Sequence, residues 1–297
     1  MFSKRQLQTI SIVPHFTAGL SLVGSSTLVG YLCLYDRNQH GEILDSTHKR
    51  LMLGLSIFDF LGSIGFFLST WPIDKDTVYG ENGEKRNEYV FGNDQTCQIQ
   101  GFLIQLAISA ALYNVMIALN CLMVTHYRIA YNTIAAKYEM YMHGVAITFG
   151  IGVAIACIPL HLYNNSALWC WISSDIVNDS DGNDVGGVKE NYWRSFRFLF
   201  YYGPAWLSAI IITAMMYFFL KIIWMLNNSR HFMSLSGQKK IDRQIRAHTN
   251  QVIFLIFAFY LTYIPGTINR FYDLTDTMAP FWLVSLISSV SLILENM

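Results

Sequence analysis

Arg197 and Arg270, near the ends of two long apolar runs, are the side chains best placed in this sequence to grip a charged molecule. Tyr201 and Tyr202 follow the first, and Asn269 precedes the second. A guanidinium offers forked donors that match phosphate or carboxylate oxygens, so such a set suits a small anionic ligand. The plainer alternative is snorkelling, in which an arginine near a helix end reaches the interface and binds nothing specific. Asp59, in LSIFDFLGS, is the one carboxylate deep inside an apolar run, and Asn114 and Asn120 are polar residues of the next run. A carboxylate so placed is costly and faces a protein interior or water. It reads as a cation site, as a polar switch with either asparagine, or as a purely structural hydrogen-bonded group. A third feature is the stretch SALWCWISSD, which sets Cys170 between Trp169 and Trp171 just before the chain turns polar; something must cover the two rings, which read as held over the mouth of a helical bundle and as candidate ligand contacts.

Motifs for catalysis are missing. The sequence holds no G-x-S-x-G, no H-E-x-x-H and no glycine-rich phosphate loop followed by lysine. Its eight histidines are scattered without metal-ligand spacing. The acidic NDSDGNDVGG at 178–187 lacks the closing glutamate of a calcium loop and reads as an outer loop. These observations predict no enzyme activity, no catalytic residues, no metal and no cofactor.

The elements that must position these residues follow from composition. Of 297 residues, 53% are hydrophobic and only 13% charged, against about 25% charged in soluble domains. Net charge is zero, which argues against nucleic acid as a partner. Charge collects in short bursts between seven apolar runs, at about 10–35, 51–72, 97–125, 141–163, 195–226, 249–268 and 279–297. Each reaches about the length that crosses the hydrocarbon layer as a helix. Inside them the acids and bases are Asp59, Arg197, Lys221 and Glu295. The sequence predicts an all-α integral membrane protein, a seven-transmembrane helix bundle forming one domain over 1–297. The first run is too long for a signal peptide and reads as the first span.

Orientation favours the N-terminus outside. Eleven Lys and Arg then fall in cytosolic loops against nine elsewhere, a narrow margin under the positive-inside rule. Of three glycosylation-type triplets, those at Asn164 and Asn178 fall in the loop after the fourth run, on the outer side, and a third at Asn227 falls on the inner side and would be unused. Cys97 and Cys170 share that side, where a disulfide is permitted and would tie the loop to the third span. Closing a loop of roughly 70 residues contributes on the order of 4 kcal/mol. Two free thiols are the alternative. Cys33, Cys121 and Cys157 lie within runs and read as core residues.

All six prolines lie in or at the edges of runs. Pro265, with Gly266 beside it, is placed to bend the sixth span, and a proline kink suits receptors and transporters alike. No internal repeat of the transporter kind is visible. A retinal protein would need a lysine in the seventh run, which has none.

Several stretches carry a family likeness: LWCWI after the fourth run, RFLFYYGPAWLSAIIITAMMYF in the fifth and FYLTYIPGTINR at the end of the sixth. With Cys97 opening a long third run that ends THYRIAY, they resemble the slime-mould cyclic-AMP chemoattractant receptors. More broadly they resemble the cyclic-AMP-receptor-like family of G-protein-coupled receptors. The resemblance covers about residues 10–290. It implies an extracellular ligand, a heterotrimeric G protein as inner partner, and the same disulfide. The family's seventh span typically ends in a Pro-Leu-Gln-Gly-Phe-type stretch before a cytosolic tail, where this chain runs SSVSLILENM.

On the inner side, GQKKIDRQIRAHTNQ sets Lys239, Arg243 and Arg246 on one helical face with Lys240 beside them. That face suits a G protein or anionic headgroups, with a solvated loop as the alternative. Arg128, in HYR, closes the third run without the acidic partner of an ionic lock. The expectation is a plasma-membrane, multi-pass receptor for a small extracellular ligand, of the anionic or cyclic-nucleotide class. A transporter or a non-signalling seven-helix protein is the alternative.

Overall fold

In a computed structural model, the described residues are 3–35, 46–75, 88–166, 168–173, 192–228 and 280–285, with single positions between 257 and 272. Helix α1 (Lys4–Gly30) begins earlier than the apolar run because Ser3 and Gln6 form a reciprocal cap, Ser3 N–H donating to Gln6 Oε1 at 2.7 Å. Such a box satisfies two amide groups that a helix start leaves open. A π-helical turn (Tyr31–Tyr35) ends this first span.

Helix α2 (Thr47–Phe67) starts at the Ser46 cap and stops where Ser69 takes a positive φ of 48° ahead of Pro72. Helix α3 (Asp94–Leu106) is capped by Asn93 and runs on into α4 (Ile108–Thr125) through one tightened turn at Ala107. Together they form a span over Asp94–Val124, the most deeply buried of the apolar helices. A short helix α5 (Tyr131–Lys137) precedes α6 (Glu139–Cys157). The chain then leaves the helical rods. Strands β1 (Tyr163–Asn165) and β2 (Cys170–Ile172) pair antiparallel, the only strands among the described residues and a departure from the all-α expectation. The fifth span is assembled from α7 (Tyr192–Arg197), a π-helical turn (Phe198–Tyr202) and α8 (Gly203–Asn228).

Five of these helices are long and apolar enough to cross a membrane. Their directions alternate. The start of α1, the end of α2, the start of α3, the end of α6 and the start of α8 share one end of the bundle, that of the disulfide. Of the sixth and seventh runs, only single positions and Pro280–Ser285 are described, including buried Pro265 and Leu283.

Small residues let the helices approach closely, as membrane packing favours. A Cβ on Gly62 would stand 3.0 Å from that of Ala107, and one on Gly65 would meet Ile104 at 2.8 Å. One on Gly150 of α6 would strike the Ser109 hydroxyl of α4. Large apolar side chains such as Phe16, Leu20, Ile155, Leu207 and Ile210 point outward. In water such a surface marks an interaction site, and on helices of this length it suits the hydrocarbon of a bilayer. Inside, one apolar cluster joins the hairpin to Phe66, Ile104, Ile108, Tyr201 and Tyr202. A second, around Leu51, Phe58, Tyr113 and Ile134, fills the bundle toward the opposite end.

Candidate functional site

The hairpin lies in the mouth of the bundle, and all three residues of β2 are buried. Cys170 is bonded to Cys97 at the start of α3, across a sequence separation of 73. Gln100, fully buried one turn further along α3, adds a second fastening. Its carbonyl oxygen accepts from the Cys170 backbone N–H at 2.9 Å. Its amide donates to the carbonyls of Gly65 and Ser69, at 2.9 and 2.7 Å. A buried amide with every group engaged orders its surroundings, whereas a half-satisfied one would be costly. Tyr163 crosses the other way, its hydroxyl donating to the Ala154 carbonyl of α6 at 2.9 Å while its ring lies against Gly101.

Trp169 and Trp171 are both covered, as the sequence demanded, by different means. Trp169 meets the edge of Phe66 with ring centres 4.9 Å apart. Trp171 enters a slot in which its indole N–H donates to Gln105 Oε1 at 2.9 Å. Two phenol rings flank it edge-on, Tyr201 at 4.9 Å and Tyr202 at 5.9 Å. Those tyrosines are adjacent in sequence, and each is 8% exposed, at the end of the π-helical turn. Pro204 has no N–H to offer the Phe200 carbonyl four residues earlier, and the Gln105 amide donates to that carbonyl at 3.0 Å.

Arg197 is 4% exposed, and its guanidinium is engaged within the protein. Both Nε and Nη2 donate to the Ile172 carbonyl, the former at 2.8 Å, and Nη2 reaches Ser166 Oγ at 3.3 Å. The group lies 5.1 Å from the Trp171 ring, within cation–π range. This is neither snorkelling nor an open anion cradle: Arg197 straps the hairpin to the fifth span. Asn269, Arg270 and Gly266 lie outside the described residues. The fifth and sixth runs meet through Trp206 Nε1, which donates to Thr267 Oγ1 at 2.9 Å, and through the Thr213–Tyr260 hydroxyl pair at 3.0 Å.

Asp59 is buried at 5% exposure on α2, one turn from Ser63, whose hydroxyl meets Ser21 of α1 at 2.8 Å. Asn114 and Asn120 sit on α4, and the side-chain oxygen of each has no hydrogen-bond donor among the described residues. The Asn164 amide donates to the backbone of His161 and Ser173, so it is tied into the hairpin, while Asn178 lies outside the described residues. At the opposite end Arg128 is exposed with a φ of 50°. Lys239, Lys240, Arg243 and Arg246 lie outside the described residues. Among the described residues no group of His, Cys, Asp and Glu is placed to hold a metal ion.

Sequence reasoning missed three features. Gln100 and Gln105 hide in an apolar run, although two amides in one span are themselves a signal, since polar groups there need partners. At the end away from the disulfide, Arg50 of α2 grips both carboxylate oxygens of Glu139 on α6, one through Nη2 at 2.6 Å. Thr47 adds a hydrogen bond at 2.7 Å. Next to this pair, His143 is 3.9 Å from Glu139 and shares a hydrogen bond of 2.9 Å with the Tyr113 hydroxyl. These contacts tie α2, α4 and α6 together, and the cue was an acid and a base at the heads of two apolar runs. No known family model matches the chain, and no curated protein matches it in sequence.

Proposed function

We propose that this chain is a seven-helix plasma-membrane receptor with its N-terminus outside, which senses a small extracellular ligand and activates a heterotrimeric G protein. The observation that carries the reading is the hairpin: a disulfide-fastened loop buried in one mouth of an apolar helix bundle and touching four spans. Such a plug joins the side where a ligand arrives to helices long enough to reach the other side. A ligand that binds one bundle arrangement more tightly than another shifts the population, and no further machinery is required. With Arg197 engaged by the hairpin, the anionic class of ligand rests on Arg270 and Asn269. Pro265 supplies the bend about which the inner half of the sixth helix swings. The basic face of Lys239, Lys240, Arg243 and Arg246 meets the G protein, with Arg128 at the foot of the third span.

The test is guanine-nucleotide exchange on a panel of G-protein α subunits, using membranes that carry the chain with and without cyclic AMP. Exchange above empty membranes, lost in Cys170→Ser, is the expected result. No exchange from folded, membrane-inserted protein under any condition contradicts the receptor reading.

A further inference from the structure

The mouth of the bundle contains a site of the kind that small molecules use, already filled by the protein itself. Ligand pockets combine aromatic walls with a few fixed polar groups that set orientation. Around Trp171 the walls are Tyr201 and Tyr202, and the polar group is the Gln105 oxygen that accepts the indole N–H. Arg197 adds a cationic face. The slot belongs to α3 and the fifth span, whereas its occupant arrives on a separate element, the hairpin. Gln105 also reaches past the ring to the Phe200 carbonyl, which cannot accept from Pro204. Occupancy of the slot is thereby wired to the π-helical turn of the fifth span, a feature that recurs at functional sites.

We propose that Trp171 is a resident ligand. The slot of Gln105, Tyr201 and Tyr202 binds a planar heteroaromatic ring carrying an N–H donor, and the hairpin keeps it filled with its own. A free ring of that class takes the slot when Trp171 is absent from it, and the presence of such a ring sets how firmly Gln105 holds the turn at Phe198–Tyr202. The proposal rests on the receptor reading for the consequence of occupancy and not for the binding itself. Its test therefore reads protein stability, so that it can fail where nucleotide exchange succeeds, and the reverse.

The full chain carrying Trp171→Gly, in lipid nanodiscs, is melted with indole or with 1-methylindole, which keeps the rings and lacks the donor. The variant is expected to melt about 10 °C below wild type. Millimolar indole recovers about half of that loss or more, because an apolar cavity of matching shape takes up the missing ring. 1-Methylindole recovers clearly less, neither compound moves wild type, and adding Gln105→Leu abolishes the difference between them. Equal recovery by both compounds, or recovery by neither, overturns the proposal. Should Trp171→Gly not reach the membrane folded, Trp171→Phe keeps an aromatic ring without the donor. Amide hydrogen exchange across 198–203 is then expected to rise severalfold over wild type, and unchanged exchange there overturns the coupling through Gln105.

Discussion

Arg197 shows how a single residue changes meaning between sequence and structure. An arginine near the end of an apolar run reads equally as ligand clamp or snorkel, and nothing local reveals an acceptor 25 positions back in the chain. The fold brings the Ile172 carbonyl to it, and one oxygen receives two of its donors. Lysine retains the charge but not the planar fork, so Arg197→Lys is expected to cost about 1–3 kcal/mol. The Cys97–Cys170 bond should also be reduced faster in this variant at a fixed concentration of reductant. A reduction rate equal to wild type would show that the strap does not hold the hairpin. Tyr163→Phe removes the hydrogen bond to the Ala154 carbonyl of α6 and should lose about 1 kcal/mol, measured by thermal melts, and an unchanged melting temperature would show that this bond does not fasten the hairpin.

Element by element, the long helices were legible and their ends were not. Apolar runs are set by the thickness of the bilayer, so length and hydropathy suffice to find them. Their limits depend on local chemistry that a run does not display. The Ser3–Gln6 cap starts α1 at Lys4 rather than near residue 10, and α6 ends at Cys157 because the chain then turns into β1. The hairpin escaped notice because strands of three residues carry no readable alternation, and its stability comes from Gln100 and Tyr163 rather than from propensity. The Trp-Cys-Trp motif announced a fastened segment whose two indoles must be covered, but not which residues cover them. Helix contacts set by small side chains were equally silent in the sequence. Gly150 touches Ser109 so closely that Gly150→Val has no room, and the resulting separation of α6 from α4 is expected to cost about 1–3 kcal/mol. Gly144 of the same helix has open space at its Cβ, so Gly144→Val should leave the melting temperature nearly unchanged. Equal losses at the two positions would contradict the packing described.

At the scale of the whole molecule, two fastenings sit at opposite ends. One is the disulfide-bound hairpin with Gln100, Gln105 and Arg197. The other is the Arg50–Glu139 pair that joins α2 to α6 beside Thr47, His143 and Tyr113. Between them the described side chains are mostly apolar, with Asp59 on α2 and Asn120 on α4 buried among small hydroxyl residues such as Ser21, Ser56, Ser63 and Ser109. A molecule fixed at both ends and greased in the middle is suited to shifting helices against one another as rigid bodies. The receptor account depends on which end faces outward and on an odd number of crossings. Both are tested at once by epitope tags placed before Met1 and after Met297, probed on intact and on permeabilised cells. Seven spans with the hairpin outside predict an N-terminal tag stained on intact cells and a C-terminal tag stained only after permeabilisation. Both tags on one side of the membrane, or the reverse order, would contradict the account.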